Sequence, residues 1–153
     1  MRIVIQRVLS AAVDIAGARK SEIGTGLLIL VGICDEDTDE DIEYLCRKVI
    51  NMRIFDDNEG VMNVPITEVA GSGILVVSQF TLMASTKKGN RPSYIHASRP
   101  EFAVPMYEKF VAKLQELFGK EIMTGEFGAD MQVSLVNDGP VTILMDSHQR
   151  ERF

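Results

Sequence analysis

The chain has 153 residues, 46% hydrophobic and 25% charged, with 22 Asp plus Glu against 16 Lys plus Arg and a formal charge of −6. That length fits one domain with its own core, and the composition excludes a disordered tail. No apolar run reaches the roughly 20 residues that span a bilayer, no signal-peptide pattern opens the chain, and the charge excludes a broad basic surface that tracks long duplexes.

In chain order, Arg2–Leu9 and Ala11–Ala16 read as two short strands, marked by alternation of Ile3, Ile5, Val13 and Ile15, with Gly17 in the turn beyond. Gly26–Ile33 is a continuous apolar run of strand length, expected to be buried on both faces. Asp35 to Glu43 holds seven acids and no base. Without that cluster, 15 acids face 16 bases, so the rest of the chain is nearly neutral. The acids lead into a helix capped near Thr38, where they favour the positive helix end. Ile42, Leu45, Cys46, Val49 and Ile50 give it one apolar stripe.

Asp56–Gly60 is a turn by composition. Ile74–Leu82 reads as a second buried strand that turns polar at Ser78-Gln79, and Met83–Ser98 reads as a loop. A helix follows Ser98-Arg99-Pro100, with Phe102, Tyr107, Phe110, Val111, Leu114 and Leu117 toward the core; Pro105 should kink it or mark its start. Met131–Val136 and Val141–Met145 read as strands separated by Asn137-Asp138-Gly139-Pro140. Strands that come both in pairs and split by helices predict an α+β fold with mixed β-sheets. The expected division is one domain over residues 1–145 and a polar C-terminal tail over 146–153. Two cysteines, Cys34 and Cys46, are too few for a disulfide framework, and His96 and His148 stand far apart. A reducing, cytoplasmic location with no membrane partner, no metal and no cofactor is therefore expected.

Two polar interruptions stand out in this apolar pattern. Ser78-Gln79-Phe80-Thr81 closes a strand, where side chains are well placed to line a site. It is equally the place where a strand simply emerges into solvent. A Ser or Thr nucleophile needs a base within reach, and neither histidine sits in a triad signature; GxSxG is also missing. Asn137-Asp138-Gly139-Pro140-Val141-Thr142 reads as a turn, yet proline inside strand sequence must sit at an edge or a break in the ladder. A cis X-Pro bond there would set two carbonyl acceptors side by side, a fit for an ammonium group. Val69–Pro100 contains no acid and four bases, Lys87, Lys88, Arg91 and Arg99.

Ser78-Gln79-Phe80-Thr81-Leu82 and Asn137-Asp138-Gly139-Pro140-Val141-Thr142 together resemble the paired SQFTL and NxGPVT motifs of the D-aminoacyl-tRNA deacylases. Ile5–Val8, Arg53–Phe55, Arg91–Ser93 and Thr124–Met131 are similar to that family as well, so the likeness runs from Met1 to about Met145. The resemblance implies mixed sheets in a barrel-like, three-layer arrangement with helices on one side. It implies hydrolysis of the ester of D-aminoacyl-tRNA, and of glycyl-tRNA, by a homodimer whose Gly-cisPro enters the other subunit's pocket. Carried over, Ser78, Gln79, Phe80 and Thr81 are catalytic, with backbone N–H groups around Gln79 and Phe80 as the oxyanion site. Gly139 and Pro140 receive the substrate ammonium, Arg7 holds their carbonyls, and Asn137 and Met131 also bind substrate. Lys87, Lys88 and Arg91 would contact tRNA phosphates. Thr81 is not expected to be an obligatory nucleophile, because no base is evident to activate it. Two other readings stay open: a related proofreader that clears L-alanine from threonine tRNA, with a trans Gly-Pro, and a noncatalytic aminoacyl-tRNA-binding module.

Overall fold

The computed structural model describes Met1–Phe153. Its first strand, β1 (Arg2–Ile15), is unbroken, so the two short strands expected from sequence are one. It pairs with three others. Its second half runs antiparallel to β2 (Ala18–Ile23), its first half to β3 (Gly26–Gly32), and its whole length to β8 (Met131–Asp146). The β2 strand, ARKSEI, carries too few apolar residues to announce itself in the sequence, and only Ser21 in it is buried.

The helix α1 (Asp39–Asn51) starts where Thr38 predicts. The Asp41 carboxylate accepts the Thr38 N–H at 2.8 Å and its hydroxyl at 3.0 Å. Burial pushes the Asp41 carboxyl up, but those hydrogen bonds and Ser147 outweigh it and hold it below the ordinary carboxylate range. A depressed carboxyl stabilises the fold above its unfolded value and loses that contribution as pH falls through the folded one. Asp41→Asn should therefore melt below wild type at neutral pH. The gap should close as pH drops below about 4, as thermal melts across pH 2–7 would record.

A small hairpin of β4 (Arg53–Asp56) and β5 (Met62–Pro65) follows, its turn at the predicted Asp-rich stretch. Then comes β6 (Gly73–Ser78), parallel to β3, with Val31 opposite Ser78. The helix α2 (Pro100–Phe118) starts at Pro100 and runs through Pro105, which is therefore not its start. A missing N–H this close to the first turn costs one intrahelical bond. Phe102 is exposed rather than core-facing; Ala103, Met106 and Phe118 take core positions beside Tyr107, Phe110 and Leu114. A short β7 (Met123–Thr124) pairs with β6 and ends the sheet order β2-β1-β3-β6-β7, with β8 on β1.

This mixed sheet curls nearly closed and is buried on both faces where β3 and β6 lie. Leu27, Ile29, Val31, Ile74 and Val76 meet Leu45, Val49, Phe110 and Leu114 of the two helices. Leu28, Leu75 and Val77 alternate to the inside, against Val8, Ala11 and Val13. The even and odd positions of one apolar run thus feed two cores. The two ends of the sheet's long strands are tied together. The Met1 ammonium pairs with the buried Asp37 carboxylate and donates to Ser147 Oγ at 2.9 Å. His148 Nε2 lies 2.8 Å from that carboxylate, and the Arg150 guanidinium stacks 4.2 Å from the centre of the Tyr44 ring. The acidic stretch is thus partly interior, with Asp37 and Asp41 both buried. No helix is long and apolar enough to cross a membrane.

Candidate active site

The parallel strands β3 and β6 end together, and the chain beyond Ser78 leaves the sheet. Gln79 is extended (φ −147°, ψ 88°) and leads into a single 3-10 turn, Phe80–Met83. The turn can fold down on β3 only because residue 32 is glycine: a Cβ there would lie 2.9 Å from Leu82 Cβ and 3.1 Å from the Gln79 oxygen. Its far end is held by Arg2, whose Nη1 donates to the Leu82 carbonyl at 2.8 Å while Nε and Nη2 grip Asp146 Oδ2 at 3.0 and 2.8 Å. Under the strand end, the buried Tyr107 hydroxyl donates to the Val76 carbonyl at 3.0 Å. Burial pushes its phenol up, so it stays a neutral donor.

Against this corner lies a cavity of about 230 Å³. Ser78, Gln79 and Phe80 line it on one side, and the segment Phe127–Met131 lines the other; Val31, Ile33, Val77 and Val133 supply apolar walls. Its one ionisable lining side chain is Asp130. Of the residues singled out in the sequence, the cavity gathers Ser78, Gln79, Phe80 and Met131. Thr81 is in the 3-10 turn but not in the lining. The Gln79 N–H already donates to the Val31 carbonyl at 2.7 Å. The N–H groups of Phe80 and Thr81 open the turn, so neither has an acceptor within it. Of the two N–H groups expected at the oxyanion site, that of Gln79 is thus taken up by the sheet.

The second motif forms its own structure. The β8 strand passes straight through it, so it is not a turn between two strands. In the β1–β8 pairing Gln6 faces Thr142 and Val8 faces Asn137, which leaves Asp138–Val141 looped out opposite Arg7. Proline without an N–H is tolerated at such a break in the ladder. The Gly139–Pro140 bond is cis and both residues are exposed. Asn137 clamps the neck of this bulge, its Nδ2 donating to the carbonyls of Arg7 at 2.9 Å and Val141 at 3.1 Å. Thr142 Oγ1 donates to Asn137 Oδ1 at 3.2 Å and lies 3.3 Å from the Pro140 carbonyl. Arg7 is buried beneath. Its Nε donates to the Asp138 carbonyl at 3.3 Å and pairs with the Asp138 carboxylate at 3.1 Å, and Nη1 donates to the Ile54 carbonyl at 2.7 Å. Neither Gly139 nor Pro140 lines the cavity in the same chain.

Lys87, Lys88 and Arg91 sit on the loop between the 3-10 turn and α2, exposed and without an ion-pair partner. Both cysteines are free. Burial pushes the Cys34 thiol up to about 12, with the nearby Asp37 carboxylate adding to it, so it is no nucleophile at neutral pH. Phe127 and Asp130, in the family-like stretch 124–131, are not among the residues that stand out in the sequence. The mixture of glycines, acids and lone apolar residues there has no period to read.

A family model described as D-Tyr-tRNA(Tyr) deacylase matches residues 4–146. D-aminoacyl-tRNA deacylases from Porphyromonas gingivalis and Bacteroides thetaiotaomicron are each 62% identical over 151 residues, covering 99% of this chain and 100% of the relative. A solved structure of the c-Myc DNA Unwinding Element Binding Protein superposes with a TM-score of 0.89 at 40% identity, over 95% of this chain and 98% of the other. The two motifs, the cavity beside the paired ends of β3 and β6, and full-length likeness agree: the chain belongs to the D-Tyr-tRNA(Tyr) deacylase family of D-aminoacyl-tRNA-hydrolysing enzymes.

Proposed function

We propose that the chain hydrolyses the ester between a D-amino acid, or glycine, and the 3′-terminal ribose of tRNA, and that it excludes L-aminoacyl-tRNA. The observation that carries this reading is the cavity edged by Ser78-Gln79-Phe80 beside the N–H groups of Phe80 and Thr81 that open the 3-10 turn. Those N–H groups accept the charge that develops on the carbonyl oxygen as water attacks the ester carbon. The carbonyl C–O bond to the ribose then breaks, and the 3′ oxygen leaves with a proton delivered by water or by the neighbouring 2′-OH. One preorganised donor of this kind contributes about 2.7–4 kcal/mol in the transition state. An ester needs no more activation than that, so Thr81 acts through its backbone and its hydroxyl is not acylated.

Chirality is read from the amine. In a homodimer, the exposed Gly139–Pro140 corner of one copy enters the cavity of the other, and its carbonyls receive the substrate ammonium. With the ammonium and ester both fixed, an L side chain is driven into the Gly-Pro backbone, while a D side chain or hydrogen is not. Arg7 and Asn137 hold the corner in shape, and Met131 packs the cavity wall. Lys87, Lys88 and Arg91 contact phosphates near the acceptor end, so affinity falls as salt rises. The working compartment is the cytoplasm, where tRNA is charged.

Deacylation assays with D-Tyr-tRNA, L-Tyr-tRNA, Gly-tRNA and L-Ala-tRNA(Thr) test the reading. Turnover of the D and glycyl substrates is expected, with L-Tyr-tRNA left intact. Turnover of L-Ala-tRNA(Thr) alone would instead identify an L-alanine proofreader, and binding without turnover of any substrate a noncatalytic module.

A further inference from the structure

Cys34, Asp37 and His148 belong to neither motif, yet their donor atoms converge. Cys34 Sγ lies 3.3 Å from Asp37 Oδ1 and 3.8 Å from His148 Nε2, and Nε2 lies 2.8 Å from the same Oδ1. Cys34 and Asp37 come from the loop after β3. His148 comes from the tail, which the Ser147 N–H ties to the Met1 carbonyl at 2.9 Å. No CxxC or HxxxH pattern announces the group, because its third donor stands 111 residues beyond Asp37.

The donors are held from behind and open in front. Asp37 is buried; its Oδ2 accepts the Cys34 N–H at 2.9 Å, and the Met1 ammonium pairs with its Oδ1. The His148 N–H donates to Asp146 Oδ1 at 3.0 Å, and Arg2 grips Asp146 in turn. Such outer partners are what orient the ligands of a metal. In front, Cys34 and His148 line a second cavity of about 560 Å³, which gives a path to solvent. It shares no lining residue with the cavity at Ser78.

A sulfur, an imidazole nitrogen and a carboxylate oxygen are the donor set of zinc, whereas Mg²⁺ and Ca²⁺ take oxygens. Around a tetrahedral Zn²⁺ such donors stand about 3.3–3.6 Å from one another. The triangle of 3.3, 3.8 and 2.8 Å reaches that shape with shifts of about 0.5 Å or less. The largest shift separates Asp37 from His148, whose side chain is exposed and has room to move. We propose that Cys34, Asp37 and His148 bind one Zn²⁺, with water from the second cavity in the fourth position. Binding sends the thiol proton to solvent, since a coordinating thiol is deprotonated outright. Nε2 binds without a proton, the ring proton standing on Nδ1. Thiolate and carboxylate then balance the ion's charge, and the Met1 ammonium keeps its bond to Ser147 Oγ. Three protein ligands and an open fourth place make an exchangeable site rather than a closed one. The ion pins the tail to the loop after β3, so the loaded protein melts higher.

The test uses untagged protein, stripped with a chelator, dialysed and titrated with ZnCl₂ by calorimetry at neutral pH. Wild type is expected to bind one Zn²⁺ per chain and to melt higher with it. Co²⁺ in its place should give the near-ultraviolet band of thiolate-to-metal charge transfer. Cys46, the other thiol, is buried in the core and cannot supply that band. Cys34→Ser should lose the band. Cys34→Ser and His148→Ala should each weaken Zn²⁺ binding by more than the about 10–100-fold that loss of an outer partner costs. His96→Ala changes a residue that lines the same cavity outside the donor triangle, and it should bind Zn²⁺ as wild type does. Melting each metal-free variant separates lost coordination from lost folding. The proposal is overturned if wild type takes up no Zn²⁺, or if its Co²⁺ complex lacks the thiolate band. It is equally overturned if folded Cys34→Ser or His148→Ala binds Zn²⁺ as wild type does, or if His96→Ala is impaired as much as His148→Ala.

Discussion

Gly139→Ala is expected to fold and to lose turnover of D-aminoacyl-tRNA by about a hundredfold or more. Gly139 has φ +112°, a conformation that L side chains rarely adopt, and a Cβ there would lie 2.9 Å from Arg7 Nη2 and 3.0 Å from Val141 N and Cγ2. The bulge must therefore move. A clash confined to an exposed bulge costs on the order of 1–3 kcal/mol, which a domain of this size survives. Its carbonyls, however, are proposed to hold the substrate ammonium, and a displacement of about 1 Å at a positioning group costs about a hundredfold in rate. Single-turnover deacylation of D-Tyr-tRNA, with a thermal melt as control, checks both halves. A rate within threefold of wild type would mean that the corner does not hold substrate.

The second large effect is on the fold. Gly26→Ala should destabilise the chain by upwards of about 3 kcal/mol, beyond the usual cost of an overpacked site. Gly26 faces Gly73 where the parallel pair β3–β6 begins, and a Cβ on Gly26 would sit 1.8 Å from the Gly73 carbonyl oxygen. That neighbour is backbone and has no rotamer to retreat into. The strands, paired as far as Val31 and Ser78, would have to separate at their start, so cavity and core fail together. Gly24→Ala is the control: nothing lies within 4 Å of its Cβ position, and its stability should stay within about 0.5 kcal/mol of wild type. Chemical denaturation of both variants measures the difference.

The sequence made some elements plain and hid others, for physical reasons. Apolar runs such as Gly26–Ile33 and the 3.6-residue stripe of α1 can be read directly, because burial on one or both faces leaves a periodic trace. Thr38 as a cap was equally readable. The length of β1 and β8 was not. A strand that passes through Ser10 or through Asn137–Pro140 keeps its course because partner strands hold it, and a partner has no signature in the segment itself. Asp37 and Asp41 read only as members of an acidic cluster at a helix start, since nothing local reveals that an ammonium and a helix cap will cover them. At the site, the two motifs were recognisable as strings, but Phe127 and Asp130 join the cavity only through the tertiary fold. Nor does the string show that pairing with Val31 uses the Gln79 N–H.

The Ser78–Thr81 corner and the Gly139–Pro140 corner lie on separate parts of one chain, and only the first lines that chain's own cavity. Under the proposed exchange, each reaction centre is the joint property of two gene products. Damage to one corner is then not confined to the molecule that carries it. A copy spoiled at the bulge still offers a sound cavity, and a copy spoiled at the cavity still offers a sound bulge. Mixed in one cell, two individually dead alleles would assemble pairs in which one of the two centres is whole, so this enzyme should show complementation between alleles of the same gene.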